Sequence, residues 1–160
     1  MAFTVFISHT KADIGIVKSL YSTLKQSGIN VYVAEFHPDP GKRLSEKISE
    51  NIESSDCVLV LLTQESVRST WVQQEIGIAE RANKLIIPVV ERGVRVSGIL
   101  EGREYIKFDK ENPWNTIEDI NRYATYLKAE KEQAERTRTA GLAILAILAG
   151  LFFIAAISGD

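Results

Sequence analysis

Glu75 is the residue of this chain whose position points most directly to chemistry. It follows an apolar run, and a period of 3.6 residues places it on one helix face with Trp71, Ile78 and Ala82. A carboxylate on a face that should be apolar is costly unless it is paired or used. The sequence therefore leaves two interpretations of Glu75, a structural cap or ion pair and a catalytic carboxylate.

The elements that must position Glu75 follow from the periodicity of the chain. Short apolar runs predict strands at residues 3–8, 30–33, 57–62, 85–90 and 105–108. Helical spacing predicts helices between them, the first of which has Thr10 and Asp13 as its capping pair. A second capping box, Thr70 and Gln73, is predicted to open the helix that carries Glu75.

Strands that alternate with helices through short connections predict an α/β fold, with a parallel sheet and helices on both faces. Ligand sites in such sheets lie beyond the carboxyl ends of the strands. Segments 8–11, 34–43 and 63–75 are predicted to meet there. Residues 34–43 are expected to form a loop, because two prolines and a glycine interrupt them.

Composition excludes several classes of function. A net charge of -2 over 160 residues, without a basic run interleaved with aromatics, argues against nucleic-acid binding. The single cysteine, Cys57, excludes an internal disulfide and is expected to be a small buried hydrophobe. The two histidines are far apart and lack supporting cysteines or carboxylates, so no metal is expected. The chain also has no G-x-G-x-x-G run of the dehydrogenase type.

The C-terminal residues form a separate apolar segment. Residues 139–158 carry no charge, and a helix of about 20 residues at about 1.5 Å per residue spans about 30 Å, the thickness of the bilayer hydrocarbon. This segment predicts a transmembrane helix, and a helix packed on the core is the alternative. Positive residues before it place the N-terminal part in the cytoplasm. The predicted organisation is a domain at 1–128, a charged helical stalk at 129–138 and a single-pass membrane anchor at 139–158.

Several short strings occur in the order and at the spacing of a known family. They are VFISH at 5–9, PGKRL at 40–44, and I-x-x-S, VLVLL and S-x-x-S-x-W-x-x-x-E within 52–75. By these strings, residues 1–128 resemble the TIR domain. The resemblance implies a flavodoxin-like fold with a five-stranded parallel sheet. It also implies either signalling through TIR–TIR assembly or cleavage of NAD at the nicotinamide–ribose bond.

The resemblance places the catalytic glutamate of the enzymatic members at Glu75. Nicotinamide leaves NAD as a neutral base, so one carboxylate is enough to stabilise the oxocarbenium-like ribosyl centre. NAD is then a substrate, and no cofactor is expected. His9, Thr10 and Lys11 follow the first strand, where similar enzymes contact the dinucleotide. Family members often carry arginines at the last two of these positions, and this chain departs from that pattern.

The residues around Glu75 have structural alternatives as well. Residues 9–11 could form a capping turn with a solvated lysine. Asp39 lies in the loop that gates the site and makes assembly contacts in similar proteins, and a turn-forming role is its alternative. Phe36 and His37 are either contact residues or the tip of that loop. Trp71 is either packed in the core or a platform on which a base stacks.

These observations lead to one principal hypothesis and two others. The first is a membrane-anchored TIR-domain NAD hydrolase or cyclase that homo-oligomerises through TIR–TIR contacts in prokaryotic immune or stress signalling. The second is a non-enzymatic, membrane-tethered adaptor that recruits other TIR domains through residues 34–43. The third is an enzyme that cleaves a nucleoside with the same glutamate.

Overall fold

The computed structural model describes residues 2–157, with side chains as far as residue 144. Five parallel strands form one sheet, in which the second strand along the chain lies at one edge and is followed by the first, third, fourth and fifth. The strands are β1 (Thr4–Ser8), β2 (Asn30–Tyr32), β3 (Cys57–Leu62), β4 (Leu85–Glu91) and β5 (Ile106–Phe108). Because β2 lies on one side of β1 and β3 on the other, the strand order reverses between β1 and β3. Such a reversal leaves a crevice at the carboxyl ends of the strands, where sheets of this kind bind ligands.

Helices connect the strands, as the periodicity predicts. Within the described residues the α-helices are α1 (Ile14–Gln26), α2 (Leu44–Ser54), α3 (Thr70–Arg81) and α4 (Pro113–Ile157). Short 3-10 turns occupy Lys11–Asp13, Ala34–Phe36, Ser66–Arg68 and Gly98–Leu100. Three of these turns follow the carboxyl ends of β1, β2 and β3, so they lie around the crevice.

The sheet is covered on both faces. All six residues of β3 are buried, which explains its unbroken apolar composition. One face packs against α2 and α3, in a core that includes Phe6, Val58, Val60, Ile48, Ile52, Val72 and Ile76. Alternate strand residues such as Val5 and Ile7 are also buried, and alternation along a strand turns them to the opposite face. The predicted α/β fold with a five-stranded parallel sheet is therefore confirmed.

Two helix starts differ from the predictions. Ser69, and not Thr70, is the N-cap of α3, because its hydroxyl accepts a hydrogen bond from the Val72 amide at 3.3 Å. Thr70 is already the first helical residue. At the start of α1, the Thr10 hydroxyl donates to the Asp13 carboxylate at 2.9 Å instead of capping a helix amide. A 3-10 turn at Lys11–Asp13 precedes α1 and displaces the predicted start.

The chain divides into two compact units, Ala2–Thr125 and a second one that begins at Tyr126. The first unit contains the sheet and α1 to α3. Within the described residues, no helix combines the length and the apolar composition that crossing a bilayer requires. The transmembrane helix predicted at 139–158 is thus not supported by these residues, and from 145 onward its side chains lie outside the described part.

Candidate active site

The Glu75 carboxylate accepts a hydrogen bond from the hydroxyl of Ser8. Ser8 is the last residue of β1 and is fully buried, and only 3% of Glu75 is exposed. The sheet and α3 thus bring together two side chains that lie 67 positions apart in the sequence. The contact lies at the carboxyl end of β1, beside the reversal of strand order.

The face of α3 that carries Glu75 differs slightly from the predicted one. The buried positions of this helix are Val72, Glu75, Ile76 and Ala79. Trp71, which was predicted on the same face, is 38% exposed. The buried face of α3 is therefore rotated by about one residue relative to the predicted face. Glu75 remains a carboxylate within an apolar stripe, as the sequence predicts.

Burial raises the pKa of Glu75 from its ordinary value of 4.5 to about 7. Hydrogen bonds from the Ser8 hydroxyl and from Trp71 lower this pKa, because they favour the charged form. The negative charge of Glu35 raises it further. Both the protonated and the ionised forms of Glu75 are therefore accessible near neutral pH, and a cation bound beside it would favour the ionised form.

A cleft of about 460 Å³ opens at this end of the sheet. Its volume lies within the range of about 300–1,000 Å³ found for small-molecule sites. The lining residues come from the turns after β1 and β2, from the start of α2 and from the start of α3, and they are His9, Thr10, Lys11, Ala34, Glu35, Leu44, Ser69 and Trp71. The three segments that the sequence predicts to meet at the carboxyl edge of the sheet are thus brought together.

Most of the predicted site residues contribute to this cleft. His9, Thr10, Lys11 and Trp71 line it. The 38% exposure of Trp71 contradicts the alternative that this indole is packed in the core. Glu75 does not line the cleft, because the carboxylate is buried under its neighbours. Access to this carboxylate therefore requires a rearrangement of the residues around it.

The loop that begins at Ala34 is tied to the domain by its aromatic residues. The ring of His37 stacks on Tyr32 at a centroid distance of 5.1 Å, and Phe36 makes an edge contact with Tyr21 of α1 at 5.2 Å. Phe36 is therefore partly buried against α1, whereas His37 makes one stacking contact and stays exposed, as a residue at the tip of the loop would. Asp39, on the same loop, does not line the cleft, and its charge contributes to raising the pKa of Tyr32, after the effect of burial.

A second buried network fixes the turn after β1. The Asp13 carboxylate accepts hydrogen bonds from the hydroxyls of Thr10 at 2.9 Å and Thr63 at 3.0 Å. Thr63 in turn accepts from the Ser66 amide at 3.1 Å, and its own amide donates to the Ser66 hydroxyl at 2.7 Å. Since Asp13, Thr63 and Ser66 are all buried, the turns after β1 and β3 are held against each other.

Two residues at the site were missed by the sequence analysis. Ser8 belongs to the string that carries the family resemblance, but nothing in the sequence identifies its partner. Glu35 lines the cleft, and its carboxylate lies 3.4 Å from the Nε2 atom of His9. Glu35 could have been identified from the sequence, because it lies in the loop after β2, which was predicted to reach the carboxyl edge of the sheet. No group of three or more metal-binding side chains occurs among the described residues.

Comparison with known proteins identifies the family. The family model described as the TIR domain matches residues 5–122. The chain is 32% identical over 92 residues to the 2' cyclic ADP-D-ribose synthase AbTIR of Acinetobacter baumannii, an alignment that covers 54% of this chain and 34% of the relative. It is 28% identical over 92 residues to the 2' cyclic ADP-D-ribose synthase BtTIR of Bacteroides thetaiotaomicron, with 54% of this chain and 32% of the relative covered.

A solved structure gives the same result for the fold. The TIR domain of the Toll-related receptor TRR-2 from Hydra magnipapillata superposes with a TM-score of 0.62 at 23% identity, covering 74% of this chain and 97% of that one. The chain spans only about a third of the length of the two curated relatives, with 34% and 32% covered. The family match extends over most of residues 2–125, which hold the sheet and the cleft. The chain belongs to the TIR-domain family.

Proposed function

We propose that this protein cleaves NAD at the bond between nicotinamide and ribose, and releases ADP-ribose or a cyclised isomer. One observation carries the proposal: a buried glutamate at the carboxyl end of β1, held by a serine hydroxyl beside a cleft of ligand size. The names of the two curated relatives, both 2' cyclic ADP-D-ribose synthases, support the choice of substrate.

The chemistry of the leaving group matches a site with one buried carboxylate. The nicotinamide of NAD is a pyridinium, so when its bond to ribose breaks it takes the electron pair and leaves as a neutral base. The positive charge then resides on the ribosyl carbon and ring oxygen. The Glu75 carboxylate would stabilise this oxocarbenium-like centre and accept hydrogen bonds from the ribose hydroxyls. The cationic substrate would itself favour ionisation of Glu75, whose pKa burial raises to about 7.

Neighbouring side chains would bind the rest of the dinucleotide. Lys11 is exposed at the rim of the cleft and would neutralise the pyrophosphate as a point charge. Trp71 presents part of its indole to the cleft and would stack on a base. Thr10 is held by Asp13 and would keep the turn in place.

Assembly is part of the proposal, because Glu75 is almost inaccessible in a single chain. Contacts with a second TIR domain, to which the resemblance assigns the loop containing Asp39, would rearrange that loop and open the site. The burial of Glu75 also fits the adaptor hypothesis. A glutamate that never becomes accessible cannot contact a substrate, and the domain would then act only through TIR–TIR contacts. We also propose that this NAD-cleaving activity serves prokaryotic immune or stress signalling.

Membrane attachment through residues 139–158 is a separate proposal, motivated by a segment without charge. It would confine the domains at a cytoplasmic membrane surface and so raise their effective concentration. Extraction of membranes with alkaline carbonate tests it. Full-length protein should remain in the pellet, and a chain truncated after residue 138 should move to the supernatant. Release of the full-length chain would contradict the anchor.

NAD consumption by the full-length protein, reconstituted at high density in liposomes, tests the proposed function. The wild type should consume NAD, and Glu75→Gln should lower the rate by at least about 100-fold, because it removes the charge that stabilises the ribosyl centre. Glu80→Gln, at the exposed second glutamate of α3, is the matched control and should retain full activity. If wild type and Glu75→Gln are equally inert, the adaptor is favoured. Cleavage of a nucleoside but not of NAD would favour the third hypothesis.

A further inference from the structure

His9 has an unusual environment at the wall of the cleft. Its side chain is only 3% exposed, yet its Nε2 atom has no hydrogen-bond partner among the described residues. The residue nevertheless lines the cleft. A buried polar atom without a hydrogen-bond partner is costly, so its persistence here calls for an explanation. Nε2 is itself buried, so a ligand group becomes its partner only once the wall of the cleft has opened, as access to Glu75 also requires.

The other ring nitrogen determines what Nε2 can do. Nδ1 lies 3.2 Å from the backbone carbonyl oxygen of Ile7. A carbonyl oxygen can only accept a hydrogen bond, so Nδ1 must carry the proton in this contact. In the neutral imidazole, Nε2 then has a free lone pair. The Ile7 carbonyl thus leaves Nε2 as the nitrogen that accepts a proton whenever the ring is neutral.

Glu35 completes the arrangement. Its carboxylate lies 3.4 Å from Nε2, and both residues line the cleft. The Glu35 side chain is 39% exposed, so it can turn without breaking a core contact. If Nε2 takes up a proton, the resulting imidazolium is paired at once with this carboxylate.

We propose that His9 is the general base that removes the proton from the nucleophile in the second half of the reaction, with Glu35 stabilising the imidazolium. This inference rests on the proposed function. The attacking group is the O–H of water in hydrolysis, or the O–H of a ribose hydroxyl in cyclisation. Its oxygen forms a bond to the ribosyl C1' atom, and its proton passes to Nε2. In the first half, the bond from C1' to the nicotinamide nitrogen has already broken, and the electron pair has left with nicotinamide to give a ribosyl intermediate. The proton on Nε2 passes to solvent before the next turnover.

In this mechanism, Glu75 stabilises the cationic centre and His9 accepts the proton of the nucleophile. A single carboxylate could not do both well. Glu75 stabilises the cationic centre only while it remains ionised, and accepting the proton of the nucleophile would remove its charge. A second group that accepts the proton keeps Glu75 charged throughout the reaction. General bases of this kind accelerate reactions by about 10²- to 10⁴-fold.

Two reactions of the same intermediate test the proposal. Hydrolysis and cyclisation require a base, because the nucleophile carries a proton. Exchange of labelled nicotinamide into NAD requires none, because the pyridine nitrogen attacks with a free lone pair. His9→Asn keeps an amide that can donate to the Ile7 carbonyl and removes the basic Nε2. We expect this variant to lose at least about 100-fold in hydrolysis and cyclisation, and less than about 3-fold in exchange.

Two further variants complete the experiment. His37→Asn, at the other histidine of the chain, is the matched control, because His37 stacks on Tyr32 and does not line the cleft. It should change both reactions equally, or neither. At pH 9, where Glu75 is ionised with or without the charge of Glu35, Glu35→Gln should reduce hydrolysis by about 10-fold and leave exchange nearly unchanged, since it weakens the stabilisation of the imidazolium. If thermal denaturation shows that His9→Asn does not fold, the result for Glu35→Gln tests the proposal in its place.

The outcomes distinguish this proposal from the proposed function. If the variants at His9 and Glu35 lower hydrolysis and exchange in parallel, or lower neither, His9 is not the base, and the NAD-cleaving function stands. If the wild-type protein carries out neither hydrolysis nor exchange under dense reconstitution, the proposed function fails and the assignment of His9 fails with it.

Discussion

The hydroxyl of Ser8, at the end of β1, donates a hydrogen bond to the carboxylate of Glu75 in α3. Both side chains are buried, so this contact links the central region of the sheet to the candidate catalytic residue. It stabilises the charged carboxylate, whereas burial stabilises the protonated acid. The balance between the two determines how much of Glu75 is ionised near neutral pH.

The first prediction concerns the stability of the fold. The unfolded chain releases the Glu75 proton near pH 4.5, and the folded chain keeps it until about pH 7. The folded state therefore binds more protons between these values, and its stability falls as the pH rises through this interval. Glu75→Gln removes this loss and should stabilise the protein, relative to wild type, by up to ~3 kcal/mol more at pH 8 than at pH 4.5.

Urea denaturation of both proteins between pH 4.5 and pH 8 measures this difference. Glu53→Gln, at an exposed glutamate of α2, is the control for the loss of one surface carboxylate. A constant difference for Glu75→Gln would show that Glu75 titrates at its ordinary value in the folded chain.

The second prediction follows from the Ser8 contact. Ser8→Ala removes a donor that favours the carboxylate, so the pKa of Glu75 should rise further. The ascending limb of the pH profile of kcat/KM for NAD should move to higher pH, with a loss of roughly tenfold near pH 6.5 and a smaller loss at pH 9. Ser55→Ala removes another buried hydroxyl, which bonds to the Asn51 carbonyl at 2.6 Å, and should leave the profile in place.

The third prediction separates two proposed contributions of Trp71, its effect on the pKa of Glu75 and its stacking on a base of the dinucleotide. Trp71→Phe keeps an aromatic ring in the cleft but loses the indole N–H that lowers the pKa of Glu75. It should shift the pH profile upward while KM for NAD changes by less than about 3-fold. Trp71→Ala should also raise KM by about 10-fold, because the stacking surface is lost.

Trp114 provides the matched control for both changes. It is 62% exposed and does not line the cleft, so Trp114→Phe and Trp114→Ala should alter neither KM nor the pH profile. If Trp71→Ala left KM unchanged, the indole would have no part in binding the dinucleotide.

The fourth prediction concerns the buried network behind the cleft. Thr63→Val keeps the shape of the side chain but removes the hydroxyl that donates to Asp13 and accepts from the Ser66 amide. The Ser66 amide is then buried without a partner, and the free energy of unfolding should fall by about 1–3 kcal/mol. Thr23→Val, at a half-buried position of α1, should change it by less than about 0.5 kcal/mol.

Chemical denaturation compares these two variants directly. Hydrogen exchange of the Asp13 amide, which donates to the Thr10 carbonyl at 3.0 Å, provides a second measurement, because the network holds this turn. Faster exchange in Thr63→Val is expected. Unchanged stability together with unchanged exchange would show that the network does not support this wall of the cleft.

Much of the architecture could be predicted from local sequence. The strand at Cys57–Leu62 was predicted with its observed bounds, because a central strand covered on both faces is continuously apolar. The fifth strand was predicted one residue longer than Ile106–Phe108. These elements depend on periodicity and turn chemistry, which neighbouring residues encode. The family resemblance adds the strand count and the position of Glu75.

The ends of the helices were predicted less accurately from local sequence. Ser69 and Thr70 are both good caps, and the sequence alone does not distinguish them. The choice depends on which register buries Val72, Ile76 and Ala79 against the sheet. The same packing rotates Trp71 out of the core and into the wall of the cleft. A helical period fixes spacing along a face, but the tertiary contact selects the face.

By itself, the sequence determined the kind of fold, the segments that meet at the carboxyl edge of the sheet and the one glutamate in an apolar stripe. Only the tertiary structure decided that Ser8 is the partner of Glu75 and that Glu35 lies beside His9. The reason is physical. Periodicity and capping act over a few residues, whereas a hydrogen bond or charge pair acts over about 3 Å between groups far apart in the chain. Such pairs exist only once the sheet has placed its strand ends together.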